Sequence, residues 1–261
     1  MKLFQVDAFT QTKFRGNPAG VCIVDQSLSD AQMQAIAAEM NLAETAFVQL
    51  EEPVHTLRWF TPAVEVELCG HATLSTAHIL YERGYLDKEK PIRFQTASGV
   101  LTTSLENGVI SMDFPAIPSE DIPVPAIFRE IFDGNIIAAA EVPKDFVLEF
   151  ESEQEVRQAV PQMDLLKKRS LKGVIITARS SGNPYDFISR YFAHHVGIDE
   201  DPVTGYAHCV LTPFWQKRLH KEYFKAYQAS RRGGELVLQL KGERVILKGH
   251  AITVFATDIE V

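Results

Sequence analysis

Arg58-Trp59-Phe60-Thr61-Pro62 is followed, twelve residues after its arginine, by Gly70-His71-Ala72-Thr73 and a helix-periodic run. Arg190-Tyr191-Phe192 is followed, fifteen residues after its arginine, by Gly205-Tyr206-Ala207 and a second such run. The order strand, loop, glycine, helix thus recurs about half a chain apart, the signature of an internal duplication. Gly16-Asn17-Pro18 has a weaker echo in Gly182-Asn183-Pro184. Short glycine triplets recur by chance, so the shared order carries the reading. It predicts two similar halves in a chain of 261 residues, 46% hydrophobic, which is enough to bury a substantial core.

Working outward, short runs rich in Val, Ile, Phe and Thr alternate with turn residues, and few segments have helical periodicity; the pattern is α+β with more sheet than helix. The first half reads as a strand at 2–8, a glycine-rich loop through Gly16-Asn17-Pro18-Ala19-Gly20, and a strand at 21–24. Ser29 with Gln32 has capping-box spacing and opens a helix to about Met40. Strands follow at 45–50 and 55–60. A second helix starts near His71, with Leu74, Ala77, His78 and Tyr81 on one face and Gly84 at its end. A meander at 92–96, 100–105 and 109–114 turns at Glu106-Asn107-Gly108, and the Pro-rich stretch Pro115 to Pro125 reads as a linker. Two lobes are expected, 1–115 and 116–261, with the C-terminal strand a candidate to complete the first.

The formal net charge of −8 argues against nucleic acid, whose phosphates are met mainly by clustered Lys and Arg. Charge and alternation in Met1 to Asp7 do not suit a secretory signal, and no stretch is long and apolar enough for a membrane helix. Cys22, Cys69 and Cys209 form neither a disulfide framework nor a paired zinc motif, so a reducing, cytoplasmic setting is expected. No Cys or His pairs stand at ligand spacing. Walker loops, dinucleotide fingerprints and Gly-x-Ser-x-Gly elbows are also absent, so neither metal nor nucleotide cofactor is expected.

Helices starting at Gly70 and Gly205 would each present free backbone N–H groups and a positive dipole end, suited to a small acid. Glu44 lies where helix gives way to an apolar strand; by residue type it reads as a surface glutamate, but desolvation there would raise its pKa and fit it for general base work. Asp201 precedes Pro202 and so takes an extended or turn conformation, as a solvated acidic loop or a helix cap would. His71 is either a proton relay or a polar cap. Cys69 sits where a helix start favours thiolate, although a buried thiol is more often a small hydrophobe.

Four segments in this order resemble the signature of the phenazine-biosynthesis isomerase-like (PhzF-like) family: Phe9-Thr10 with Phe14-Arg15-Gly16-Asn17-Pro18-Ala19-Gly20-Val21; Asn41 to Val48; Arg58 to Pro62 through Leu68-Cys69-Gly70-His71-Ala72-Thr73; and Gly197 to Gly205. Gln228-Ala229-Ser230-Arg231-Arg232-Gly233-Gly234 also looks familial. The resemblance implies a diaminopimelate-epimerase-like fold of two pseudo-symmetric, barrel-like lobes, each wrapping a central helix, with the active site in the cleft between them. It implies cofactor-independent proton transfer on a small carboxylated metabolite, with Glu44 as catalytic glutamate and His71 and Asp201 assisting. Asn17, Gly70, Ala72, Gly205 and Tyr206 fall at substrate-binding positions, and a homodimer is implied. Tyr206 departs from the family's usual small serine, so the phenazine-pathway substrate does not transfer. Two alternatives stand beside this reading: a thiol-assisted amino-acid racemase using Cys69, and a non-catalytic homologue that binds a metabolite or protein.

Overall fold

The computed structural model describes every residue except 170, 171, 183 and 261, and the side chains of 169 and 196 are likewise left aside. Asn183, in the Gly182-Asn183-Pro184 echo, therefore lies outside the described residues. The chain forms two compact units, Met1–Asp113 with Lys248–Val261, and Phe114–Leu247.

The first unit runs β1 (Lys2–Ala8), β2 (Asn17–Val24), α1 (Asp30–Met40), β3 (Glu44–Gln49), β4 (His55–Phe60), β5 (Glu65–Val66), α2 (Gly70–Glu82), β6 (Ile92–Thr96), β7 (Gly99–Glu106) and β8 (Val109–Pro115). The Ser29–Gln32 capping box forms, and α1 ends on Asn41 in the left-handed region. Asn107 and Gly108, at φ 52° and 78°, make the tight β7–β8 turn, a conformation those two residue types accept. β1 pairs antiparallel with β2, β2 parallel with β3, β3 antiparallel with β4, β4 parallel with β6, and β6 antiparallel with β7.

Two expectations for this unit are corrected. Asn17 to Gly20 is not loop but the first half of β2. Gly20 stands opposite Thr45 on β3, and a Cβ there would lie 2.8 Å from the Thr45 hydroxyl, so this glycine marks close side-chain packing rather than a turn. The second correction is that α2 is not buried on one face only: ten of its thirteen residues are buried. It touches β1, β2, β3, β7 and the C-terminal strand. Two of its buried threonines tolerate this because their hydroxyls bond back into the helix, Thr73 to Cys69 O at 2.5 Å and Thr76 to Ala72 O at 2.8 Å.

The second unit runs β9 (Glu120–Ile122), α3 (Phe128–Ile131), β10 (Ile136–Glu141), β11 (Asp145–Phe150), α4 (Glu153–Gln158), α5 (Met163–Arg169), β12 (Gly173–Arg179), β13 (Phe187–Phe192), α6 (Gly205–Leu219), β14 (Tyr223–Gln228) and β15 (Gly234–Lys241); β16 (Arg244–Gly249) then leads to β17 (Ala251–Asp258). β10 pairs antiparallel with β11, β11 parallel with β12, β12 antiparallel with β13, β13 parallel with β14, and β14 antiparallel with β15. This is the pairing order of the first unit, with α6 in the place of α2. β17, from the far end of the chain, pairs antiparallel with β1, and β9 pairs antiparallel with β10 across the short helix α3, so each unit's first long strand gains a second neighbour.

The stretch Pro115 to Pro125 is thus not a plain linker, because it carries β9; its prolines flank the strand rather than interrupt it. The same stretch accounts for Pro213 inside α6. Proline has no N–H to offer the carbonyl four residues back. That carbonyl, on Cys209, accepts instead from Ile117 N at 3.1 Å.

The duplication reaches side chains. Arg58 forks onto Glu65 at 2.7 Å through two nitrogens and lies 5.1 Å from the Phe60 ring centre. Arg190 forks onto Glu200 at 2.7 and 2.9 Å and lies 5.1 Å from Phe192. In each unit one guanidinium therefore ties the strand before the central helix to the segment that leads into it.

Candidate active site

In the first unit, the left-handed turn at Asn41 redirects the chain from α1 into β3, so Glu44 is the first strand residue. Its side chain is 16% exposed. α2 starts at Gly70 with Cys69 as N-cap, which places His71 in the first turn, buried. His71 Nε2 lies 3.2 Å from Glu44 Oε2. The distance is that of a close polar contact, although Nε2 makes no hydrogen bond of good geometry among the described residues. On the other edge of the ring, Cys69 Sγ lies 3.4 Å from Nδ1. Burial holds the His71 pKa down at about 3, so the imidazole is neutral at pH 7 and carries one proton. With that proton on Nε2, the ring donates toward the carboxylate while Nδ1 faces the thiol with a lone pair; the other tautomer reverses both roles.

Cys69 gives α2 no side-chain cap, leaving first-turn amides at Gly70 and His71 as donors to an incoming anion. Ala72 is fully buried, as is Asn17 at the start of β2. β2 runs beside β3 with Ala19 opposite Glu44. No metal-ligand spacing is legible along the chain, yet Glu44, Cys69 and His71 bring one donor atom each within 4.8 Å of one another. Local spacing could not reveal this set, because the carboxylate comes from a separate strand.

In the second unit, Asp201 bridges to Tyr191, its N donating to Tyr191 O at 3.0 Å, which confirms an extended conformation before Pro202. The Thr204 hydroxyl donates to the Asp201 carboxylate. Gln228, fully buried, accepts from Thr204 N at 2.9 Å and donates to Asp201 O at 2.7 Å. Ser230 Oγ donates to Pro202 O at 2.7 Å. Gln228 and Ser230 therefore hold the loop that carries Asp201 into α6. Their segment looks familial in sequence, but neither residue's role is legible there, since β14 meets the loop only in three dimensions.

Gly205 begins α6 and Tyr206 follows, half-buried. Burial, then the nearby Asp145 carboxylate, pushes the Tyr206 phenol up. Tyr191, raised by the same causes, donates to Asp145 Oδ1 at 2.9 Å. Asp145 is fully buried and was not singled out from sequence. Its room comes from Gly173, its partner across the parallel β11–β12 pair: a Cβ there would sit 2.2 Å from Asp145 Oδ1 and 2.8 Å from the His195 ring. His208, one turn into α6, lies within hydrogen-bond reach of Thr204 O at 2.7 Å, and burial lowers its pKa to about 4.

The structure therefore groups Glu44, His71 and Cys69 at the start of one central helix, and Asp201, Gly205 and Tyr206 at the start of the other. Comparison with known proteins is consistent along the whole chain. The profile of the phenazine biosynthesis-like protein family (PhzC-PhzF) matches residues 6–257. A protein of Halalkalibacterium halodurans named an uncharacterized isomerase is 46% identical over 261 residues, covering 98% of this chain and 97% of its own. The crystal structure of a phenazine biosynthesis PhzF-family protein from Enterococcus faecalis superposes with a TM-score of 0.95 at 39% identity, covering 100% of this chain and 99% of that one. A probable proline racemase from Agrobacterium radiobacter, 12% identical with a TM-score of 0.62, shares the fold, covering 100% of this chain and 93% of its own.

Proposed function

Because the chain belongs to the phenazine biosynthesis-like family, we propose that it is an isomerase that moves a proton on a small carboxylated substrate, with Glu44 as the proton-transferring base. The observation that carries the reading is the Glu44–His71 pair, 3.2 Å apart at the start of α2, the imidazole buried and the carboxylate half-buried. The isomerase names of its relatives support the reaction class.

Glu44 takes a proton from carbon next to a carboxylate or unsaturated group, and its reach from a strand end limits it to a substrate seated at the α2 start. The first-turn amides at Gly70 and His71 stabilise negative charge as it develops. His71, neutral because it is buried, holds or passes a proton at Nε2 without placing a charge in the site. Asn17 and Ala72 shape the seat. Asp201 assists proton return, and the α6 start at Gly205 and Tyr206 holds a substrate carboxylate; both assignments come from the family resemblance. The proton transfers need only these side chains. A homodimer in the cytoplasm is part of the same proposal; among the described residues no helix is long and apolar enough to cross a membrane.

A second reading is favoured by one contact, the 3.4 Å approach of Cys69 Sγ to His71 Nδ1: as a thiolate at the helix start, Cys69 would itself be a base, as in a racemase. Proton NMR of wild-type and Cys69→Ser protein in deuterium oxide, with a panel of amino and cyclic carboxylic acids, divides the readings. The leading reading predicts exchange of a substrate C–H in both proteins at similar rates. Severe loss in Cys69→Ser would move the base to the thiol, and saturable binding with no exchange in either protein would leave a binding role alone.

A further inference from the structure

The same three side chains that bracket the proton also make a donor set for a soft cation: a thiol, an imidazole and a carboxylate on neighbouring elements, each offering one atom within 4.8 Å of the others. We propose that Glu44, Cys69 and His71 form a binding site for a zinc-class divalent ion, and that occupancy silences the isomerase by taking its base.

Geometry comes first. Zinc bonds of about 2.0–2.1 Å to nitrogen, 2.0–2.2 Å to oxygen and 2.3 Å to sulfur place tetrahedral ligand atoms about 3.3–3.6 Å apart. The imidazole can offer a single ion one nitrogen only. Cys69 Sγ and His71 Nδ1, at 3.4 Å, already stand at that spacing. Both are fixed by the first turn of α2, where Cys69 is the N-cap. The third donor, the Glu44 carboxylate, stands 3.2 Å from the other ring nitrogen, Nε2, so it has to swing round the ring edge toward Nδ1 to complete a chelate of this kind. Its side chain is the most exposed of the three, at 16% against 7% for His71, so it is the one with room to swing, and it marks the side from which an ion enters.

Charge and softness come next. A thiolate and a carboxylate balance a dication, so the filled site is neutral, as a buried ion site must be. A thiolate with an imidazole selects zinc, cobalt or copper over magnesium or calcium. Three protein donors leave a fourth position to water, the pattern of an open rather than a closed zinc site. On binding, Cys69 yields its proton to solvent and Glu44 gives its lone pairs to the metal. The carboxylate that would take a substrate proton is then unavailable. The silencing arm rests on the proposed isomerase reading, whereas the binding arm does not.

Cobalt(II) reads the site directly, because thiolate ligation produces a charge-transfer band in the near ultraviolet. Reduced, metal-free protein titrated with cobalt(II) is expected to develop that band to an end point of one equivalent, and zinc(II) to abolish it. Cys69→Ser should remove the band, and Glu44→Gln should weaken cobalt binding by about tenfold or more while keeping it. Circular dichroism establishes that both variants are folded. Cys22→Ser and Cys209→Ser, whose thiols are buried and pushed up to about 12, should leave the band unchanged. A band that survives Cys69→Ser, or cobalt affinity equal in wild type and both site variants, overturns the site. If cobalt binds as described and solvent exchange of a turned-over substrate persists undiminished in saturating zinc, the silencing arm fails and the isomerase reading must place the base elsewhere. Without exchange in metal-free protein, the isomerase reading fails while the site stands.

Discussion

Acidification should unfold this protein through two buried imidazoles, with a slope that can be worked out in advance. His71 and His208 are held neutral by burial, with pKa values near 3 and 4 against 6.5 when exposed. A folded pKa below the unfolded one means that this stability is complete above pH 6.5 and is lost as the pH falls toward the folded value. Between those limits the unfolded chain binds two protons that the native chain refuses. Stability should therefore fall by about 3 kcal/mol per pH unit in the middle of the window. From pH 6 to pH 4.5 the loss is about 4 kcal/mol, a large share of the ~5–15 kcal/mol typical of a folded protein. His78, depressed in the same direction, steepens the fall. Urea titrations at half-unit pH intervals measure the slope. His208→Gln, which removes one titrating group, should reduce it by about 1.4 kcal/mol per pH unit. A flat profile between pH 6.5 and 4.5, or a slope indifferent to His208→Gln, would refute the reasoning.

Three further substitutions probe the packing around the helix starts. Gly173→Ala pushes a methyl group into Asp145 Oδ1 and the His195 ring and should cost about 1–3 kcal/mol in urea unfolding; an unchanged midpoint would mean that the carboxylate is not held where it is described. Arg190→Lys breaks the fork to Glu200 and the bond from the guanidinium to Ala159 O at 2.6 Å, and at 12% exposure it should lose about 1.5–3 kcal/mol. Arg58→Lys, its counterpart in the first unit, is 30% exposed and should lose less than about 1 kcal/mol; equal losses at the two positions would contradict the burial argument.

What could be read from the sequence depended on how local its cause was. The α1 cap needs only Ser29 and Gln32, and the β7–β8 turn only Asn107 and Gly108, so both were visible. The duplication showed itself in the Arg-x-Phe and glycine-helix echoes because the same contacts recur around Phe60 and Phe192. Gly20 misled because its reason is Thr45, on another strand, and β9 stayed hidden because its partner β10 lies beyond an intervening helix. The burial of α2 was misjudged because Thr73 and Thr76 conceal their polarity within the helix. Glu44 and His71 were each nameable from motif resemblance, and the structure adds their contact. Cys69 as a neighbour of both, Gln228 as the brace of the Asp201 loop and Asp145 beneath Tyr206 needed the tertiary structure.

The most direct test is deuterium incorporation at a substrate carbon by wild type and by Glu44→Gln, which keeps the shape of the side chain and removes its basicity. The account predicts that the folded variant loses about 10²–10⁴-fold in exchange rate with little change in substrate affinity. Exchange at the wild-type rate would contradict it.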